Sequence, residues 1–381
     1  MTTQGASAPL FEPLLLRDLL LKNRVVVSPM CQYSAQDGIP NDWHFVHLGR
    51  FALGGAALVF AEATAVEPEG RISYADTGLY TDAQEAAFSR IVRFLKSQGA
   101  ATGIQLAHAG RKASTLPPWE GGGPAQAHGA TPGTEVWTPV APSSLPFTEG
   151  YPVPAELTLA DLERLKQAFV RSTERALRAN FDVVEVHAAH GYLLTEFLSP
   201  LSNQRADQYG GSRENRMRFP LEVVESVRAA WPATRPLFVR ISAVDGSPGG
   251  WSLDDSVVFA RELQARGVDV VDCSGGGATP SIATLPNPRE PGYQVPFAAR
   301  IKREVGIRTM AIGRITDAEQ ANTIVEGGSA DLVALARQML DDPNWPLHAR
   351  ERLLPETVGD AAYPRQVGYA VKGLKPAAKS R

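Results

Sequence analysis

Eight short β-branched, apolar runs recur along the chain, at Arg24–Met30, Ala57–Val66, Thr102–His108, Asp182–Ala188, Pro236–Ala243, Val268–Ser274, Arg308–Arg314 and Asp331–Arg337. Several, such as Val183-Val184-Glu185-Val186, are nearly continuous in apolar character. Strands covered on both faces have this look, which points to a parallel sheet. Helical patterns follow most of the runs. Thr158–Ala179 carries Leu159, Leu162, Leu165, Phe169 and Leu177 at helical spacing, and Ser252–Arg266 is a second such segment. Each has a start signal, Thr158 three residues before Asp161 and Ser252 three before Asp255. Eight βα units fit a closed barrel or a large doubly wound sheet. The doubly wound sheet needs G-x-G-x-x-G after an early strand, and Gly38 and Gly70, which follow the first two runs, do not make it. The expected fold class is therefore α/β, a single (β/α)8 TIM barrel over residues 1–381. A long Pro/Gly-rich loop would follow strand 3, and a tail over 356–381 would close the chain.

Composition narrows the function. Lys+Arg 38 against Asp+Glu 41 leaves a net charge of −3, too balanced for an electrostatic nucleic-acid binder. No apolar run reaches the ~18–20 residues of a membrane span, and Met1–Pro9 lacks the pattern of a secretory signal. Neither nucleic acid nor membrane is expected as a partner. Only Cys31 and Cys273 are present, which excludes a disulfide scaffold, a four-thiolate zinc site and an all-cysteine iron–sulfur cluster within one chain. A reduced cytoplasm is the expected compartment. The segment 109–157 holds Pro117-Pro118, Gly121-Gly122-Gly123-Pro124 and six further prolines, so no long helix or central strand continues through it. With Trp119, Trp137, Phe147 and Tyr151 it reads as an inserted, ordered capping loop, in which His128 and Trp119 are candidates to shape a pocket.

Polar residues gather at the C-terminal ends of the runs, where barrel enzymes carry their chemistry. Run 1 ends Ser28-Pro29-Met30-Cys31-Gln32-Tyr33, run 3 carries Gln105 and His108, and run 4 ends His187-Ala188-Ala189-His190-Gly191-Tyr192. Run 5 carries Arg240, run 6 ends Cys273-Ser274-Gly275-Gly276-Gly277, and runs 7 and 8 end in Gly313-Arg314 and Ala336-Arg337. Glycine N–H groups and a bidentate arginine after strands 7 and 8 suit a phosphate. Arg314 fits that site less well than Arg337, since a neighbouring acid could take it. His187 and His190 are open to two readings. With His108 they could hold a metal ion for a hydrolase. As two neutral N–H donors they could polarise a carbonyl or nitro oxygen, with the Tyr192 phenol supplying a proton. Cys31 reads as a nucleophile or as a buried thiol, and Cys273 as packing. A buried Arg240 needs a partner charge or an electron-rich ligand, and the Gln105 amide suits the edge of a uracil-like ring.

These motifs resemble the old yellow enzyme family of FMN-dependent ene-reductases, and the resemblance runs from Leu10 to about Pro343. It is carried by His187-Ala188-Ala189-His190-Gly191-Tyr192-Leu193-Leu194, Phe197-Leu198-Ser199-Pro200, Asn203, Tyr209-Gly210-Gly211-Ser212 and Glu214-Asn215-Arg216. Pro29-Met30-Cys31-Gln32-Tyr33-Ser34 resembles the bacterial thermophilic-like branch. The resemblance implies FMN across the barrel mouth, with phosphate on Gly313, Ala336 and Arg337 and with Arg314 nearby. It implies Arg240 on the N1/O2 side of the ring and Gln105 on its pyrimidine edge. Ser28, Pro29, Ala63, Gly276 and Gly277 would pack around the cofactor, and Cys31 would tune its potential. His187 and His190 would grip the substrate oxygen, Tyr33 would line the substrate side, and Tyr192 would protonate Cα while flavin N5 gives hydride to Cβ. NAD(P)H, either NADPH or NADH, would reduce the flavin in a ping-pong cycle. Activated alkenes would be the substrates of a homodimer or homotetramer. The tail, with Tyr363, Arg365, Tyr369 and Lys372, would come within reach of a neighbouring active site. Related flavin barrels that run oxidative demethylation or dehydrogenation are the alternative within the same chemistry. The relatives that carry an iron–sulfur cluster and a further domain are excluded by the two cysteines and the short C-terminus.

Overall fold

The computed structural model describes residues 8–128, 135–355 and 363–371. Its centre is a closed barrel of eight parallel strands. They are β1 (Val25–Val27), β2 (Leu58–Ala65), β3 (Ala101–Ala107), β4 (Val183–Ala188), β5 (Leu237–Ser242), β6 (Val270–Ser274), β7 (Arg308–Ala311) and β8 (Leu332–Leu335). Each strand lies inside one of the eight sequence runs, except that β3 begins one residue early at Ala101, and neighbours in sequence are neighbours in the barrel, with β8 closing on β1. The outer helices are α1 (Asp42–Leu53), α2 (Asp82–Ser97), α3 (Leu159–Arg178), α4 (Arg213–Ala230), α5 (Leu253–Ala265), α6 (Val295–Val305), α7 (Ala318–Glu326) and α8 (Trp345–Leu353). The two start signals are real caps. Thr158 accepts from Asp161 N–H and Ser252 from Asp255 N–H, each closing a reciprocal capping box that stabilises its helix by about 1 kcal/mol.

Two apolar layers hold the fold. One lies between sheet and helices. The other fills the barrel axis with Val26, Leu58, Phe60, Phe238, Met310 and Leu332. An antiparallel hairpin, Leu14–Leu16 paired with Leu19–Leu21, adds buried Leu16 and Leu21 to that axial layer. The hairpin is too short to show a period in the sequence, and it packs its leucines beside strand residues that precede the polar ends. Polar chemistry is thereby left to the opposite mouth. Between β2 and β3 the register shifts at Ala61/Ala63, a bulge that sets Ala63 opposite Gln105.

Among its described residues, the segment 109–157 has three short 3-10 turns and two two-residue strands, Val140–Ala141 and Ala155–Glu156, paired in parallel. Within it, residues 129–134 and the side chain of His128 lie outside the described residues. Of the tail, Arg365–Val371 forms a short helix, while 356–362 and 372–381, with Lys372, lie outside the described residues. No helix among the described residues is long and apolar enough to cross a membrane.

Candidate active site

The strand ends converge on one mouth, where a cavity measures ≈ 490 Å³. The loops after β7 and β8 form it, with Gly313, Arg314, Ala336 and Arg337 in its wall beside Tyr293 and Gln294. Gly313 has φ of +119°, and a Cβ there would stand 3.0 Å from Gln294. A side chain would therefore fill the cradle. Two guanidinium groups and one carboxylate (Asp341) line the space, a balance suited to a phosphate dianion. Gly276 and Gly277 do not line it. They lie at the next loop, where Gly277 presses on the His190 backbone.

Beside the cavity, the inward residues of β3 to β6 form a buried polar layer. Gln105 Nε2 donates to Glu185 Oε1 at 2.8 Å. The Arg240 guanidinium stands 3.1 Å from Asp272 and donates to Ser28 Oγ at 3.0 Å. Arg240 Nε still has no hydrogen-bond partner. The sequence expectation that Arg240 needs a partner charge is met by Asp272, a residue the sequence reading passed over. Pro29 follows Ser28 at the end of β1.

Of the residues expected on the substrate side, His187 sits at the end of β4 and His190 and Tyr192 on the loop after it. The rings of His187 and His190 are perpendicular with centroids 5.2 Å apart, and Tyr192 lies 5.1 Å from His187. Burial first, then the positive charges of Arg240 and Lys112, pushes both imidazoles well below the usual histidine range, so both are neutral at pH 7. His187 Nδ1 accepts the Ala189 N–H at 3.2 Å, which places its proton on Nε2. His190 Nε2 is 2.8 Å from Ser274 Oγ, so Nδ1 is the His190 nitrogen left to meet a ligand. Burial, reinforced by the nearby Cys31 and Tyr33, raises the Tyr192 phenol well above its ordinary value. It keeps its proton at neutral pH and would yield it only to a strong base such as a developing carbanion.

This loop is clamped by residues that sequence reasoning missed. Lys112 donates to the carbonyls of His190 (2.7 Å) and Gly277 (3.3 Å), and its ammonium stands 4.9 Å from the Tyr192 ring and 4.8 Å from that of Phe147. Burial lowers its pKa to about 8. His190 itself holds φ of +60°, and its N–H is fixed by Ser242 Oγ at 2.8 Å. A lysine in Gly110-Arg111-Lys112 carries no signal of this role, because its partners are backbone carbonyls from two distant strands.

On the far side, Cys31 lies near Tyr33, whose ring meets Trp119 edge-on at 5.9 Å. Burial and the buried carboxyl groups of Asp76 and Glu62 push the Cys31 thiol well up, so it is a thiol and not an activated nucleophile. Cys273 is fully buried, as packing requires. His108 does not join the other histidines. Its Nδ1 accepts the Gly110 N–H and its Nε2 is 3.1 Å from Glu67. The hydrolase reading loses its third ligand, and no group of three His, Cys, Asp or Glu side chains among the described residues is arranged to hold a metal ion.

The model of the NADH:flavin oxidoreductase / NADH oxidase family matches residues 9–356. An NADPH dehydrogenase of Geobacillus thermodenitrificans is 46% identical over 346 residues, 90% of this chain and 94% of the relative. An NADPH dehydrogenase of Listeria monocytogenes is 43% identical over 358 residues, 93% and 98% of the two chains. Among solved structures, morphinone reductase superposes with a TM-score of 0.74 at 29% identity, covering 91% of this chain and 90% of that one. The cavity with two arginines and the glycine cradle fit a flavin mononucleotide. The chain thus belongs to the NADH:flavin oxidoreductase / NADH oxidase family, with the old yellow enzymes, and is an FMN-dependent NAD(P)H oxidoreductase on a (β/α)8 barrel.

Proposed function

We propose that the enzyme is an ene-reductase, taking alkenes activated by a carbonyl or nitro group and working by a ping-pong cycle. The observation that carries this reading is the perpendicular pair of neutral imidazoles, His187 and His190, with the Tyr192 phenol beside them. Bound FMN supplies the hydride, received from NAD(P)H and delivered to Cβ. The chain supplies everything else. Gly313, Ala336 and Arg337 hold the phosphate, with Arg314 at the rim, while Gln105, Arg240, Ser28, Pro29 and Ala63 face the ring. His187 Nε2–H and His190 Nδ1 meet the activating oxygen, so charge building there finds donors already oriented. Tyr192 keeps its proton until Cα becomes basic, then donates it. Tyr33 and Trp119 wall the substrate side. Lys112 and Phe147 cover the loop and exclude water. The protein would work as a cytoplasmic homo-oligomer, in keeping with the exposed Trp43, Val46 and Leu53 along one face of α1.

The test begins with the visible spectrum of the holoenzyme, its bleaching by NADPH and its recovery on 2-cyclohexenone. His190→Ala is expected to retain FMN and bleach normally, yet lose most enone-dependent recovery. Unchanged kcat/KM on enones would remove the oxyanion role from His190. Wild-type bleaching without any enone-dependent recovery would turn the reading towards oxidative chemistry.

A further inference from the structure

Glu185 is a carboxyl group with no solvent exposure in the middle of a barrel strand, and neither phosphate binding nor substrate binding accounts for it. Gln105 from β3 touches it at 2.8 Å. The charged groups that act on it are Arg240 from β5 and Asp272 from β6, and neutral His187 stands two residues on along β4. Asp272 is equally buried and stands 3.1 Å from the Arg240 guanidinium, so two carboxyl groups without solvent exposure lie in the field of one positive charge. Both are raised from their ordinary values, by burial first, and for Glu185 by the neighbouring Asp272 as well. Glu185 Oε2 and both Asp272 oxygens lack hydrogen-bond partners. Such a layer does not suit a further negative charge, and a proton has a natural place on it when one arrives.

The amide of Gln105 reports where that proton is. A Glu185 carboxylate only accepts, so Nε2 must face it and Gln105 turns its carbonyl oxygen the other way. A protonated Glu185 donates, the amide turns over, and Gln105 offers N–H donors instead. Both arrangements satisfy the Gln105–Glu185 pair.

We propose that Glu185 is a positioning residue whose carboxyl group takes up one proton when negative charge arrives in front of Arg240 and Gln105, switching Gln105 from acceptor to donor towards that charge. This rests on the reading that Gln105 and Arg240 face the flavin ring. The balance is simple. Reduction brings two electrons and one proton as hydride; the second proton comes from water to a Glu185 oxygen, and it returns to water when the charge leaves. Only an O–H bond is made and broken.

The test is made on the FMN-loaded enzyme. Midpoint potentials are followed against pH for wild type and Glu185→Gln, and reduced-minus-oxidised infrared difference spectra are recorded for both. Wild type is expected to take up two protons per two electrons over the pH range in which Glu185 titrates, against one for Glu185→Gln. A carboxylic-acid carbonyl band should grow on reduction in wild type and be missing in the variant. Equal proton counts, or the same infrared difference in both, overturn the proposal. Should Glu185→Gln fail to fold, Asp272→Asn serves. Removing the rival carboxyl must move the pH at which the count changes to lower values, and an unmoved break refutes the coupling. Failure of the underlying reading looks different: Gln105→Leu and Arg240→Met would then bind FMN with wild-type affinity and potential.

Discussion

Gly191→Ala is the sharpest test of how the catalytic loop is held. A Cβ at Gly191 would stand 1.9 Å from the Gly277 carbonyl oxygen, where real Cβ atoms essentially never come within 3.0 Å, so the two loops must part by about 1 Å. The oxygen belongs to rigid backbone that Lys112 also grips, so a side-chain rotation offers no relief. Gly191 further holds φ of +71°, a conformation that costs a residue with a Cβ roughly 1–2 kcal/mol. A misplacement near 1 Å between reacting groups costs on the order of 10²-fold in rate, or about 2.7 kcal/mol of barrier. Gly211→Ala is the control. Gly211 has φ of +80° with nothing within 4 Å of its Cβ, so the backbone strain is matched and the clash is missing. Stopped-flow reoxidation by 2-cyclohexenone should fall about 10²-fold in Gly191→Ala and stay unchanged in Gly211→Ala. Gly211→Ala should lose a few degrees of Tm and Gly191→Ala more, and both should keep FMN, because the phosphate cavity belongs to the β7 and β8 loops. Wild-type reoxidation by Gly191→Ala would refute the claim that this backbone contact sets the geometry of His190 and Tyr192.

Two further outcomes follow from the same geometry. Arg337→Ala removes a charge-assisted contact of about 1.5–3 kcal/mol and should weaken FMN binding roughly 10- to 100-fold in apoprotein titrations; unchanged affinity would displace the phosphate from the cavity wall. Tyr192→Phe should slow reoxidation by an enone about 10²–10⁴-fold while reduction by NADPH stays near wild type; equal slowing of both halves would contradict a proton donor.

The sequence already contained the barrel. Nearly continuous apolar runs such as Val183–Val186 suit only strands buried on both faces, and Thr158 and Ser252 stated where their helices begin. It also contained the address of the candidate site, because polar residues in a barrel collect at strand C-termini: Gly313, Arg314, Ala336 and Arg337 line one cavity, and His187 at the end of β4 meets His190 and Tyr192 from the loop after it. Pairing was beyond it. His108 looked like a companion of His187 and His190 until the fold gave it to Glu67, and Arg240 looked unpartnered until β6 brought Asp272 beside it. Lys112, Ser274 and Glu185 carry no local signature, since a lysine on two carbonyls or a carboxyl on an amide depends on strands far apart in the chain. Periodicity and residue type act over a few positions and so fix elements and faces. Which nitrogen bears a proton, and which carboxyl shares a guanidinium, depends on distances of about 3 Å across the closed barrel, and only closure of the eight strands sets those.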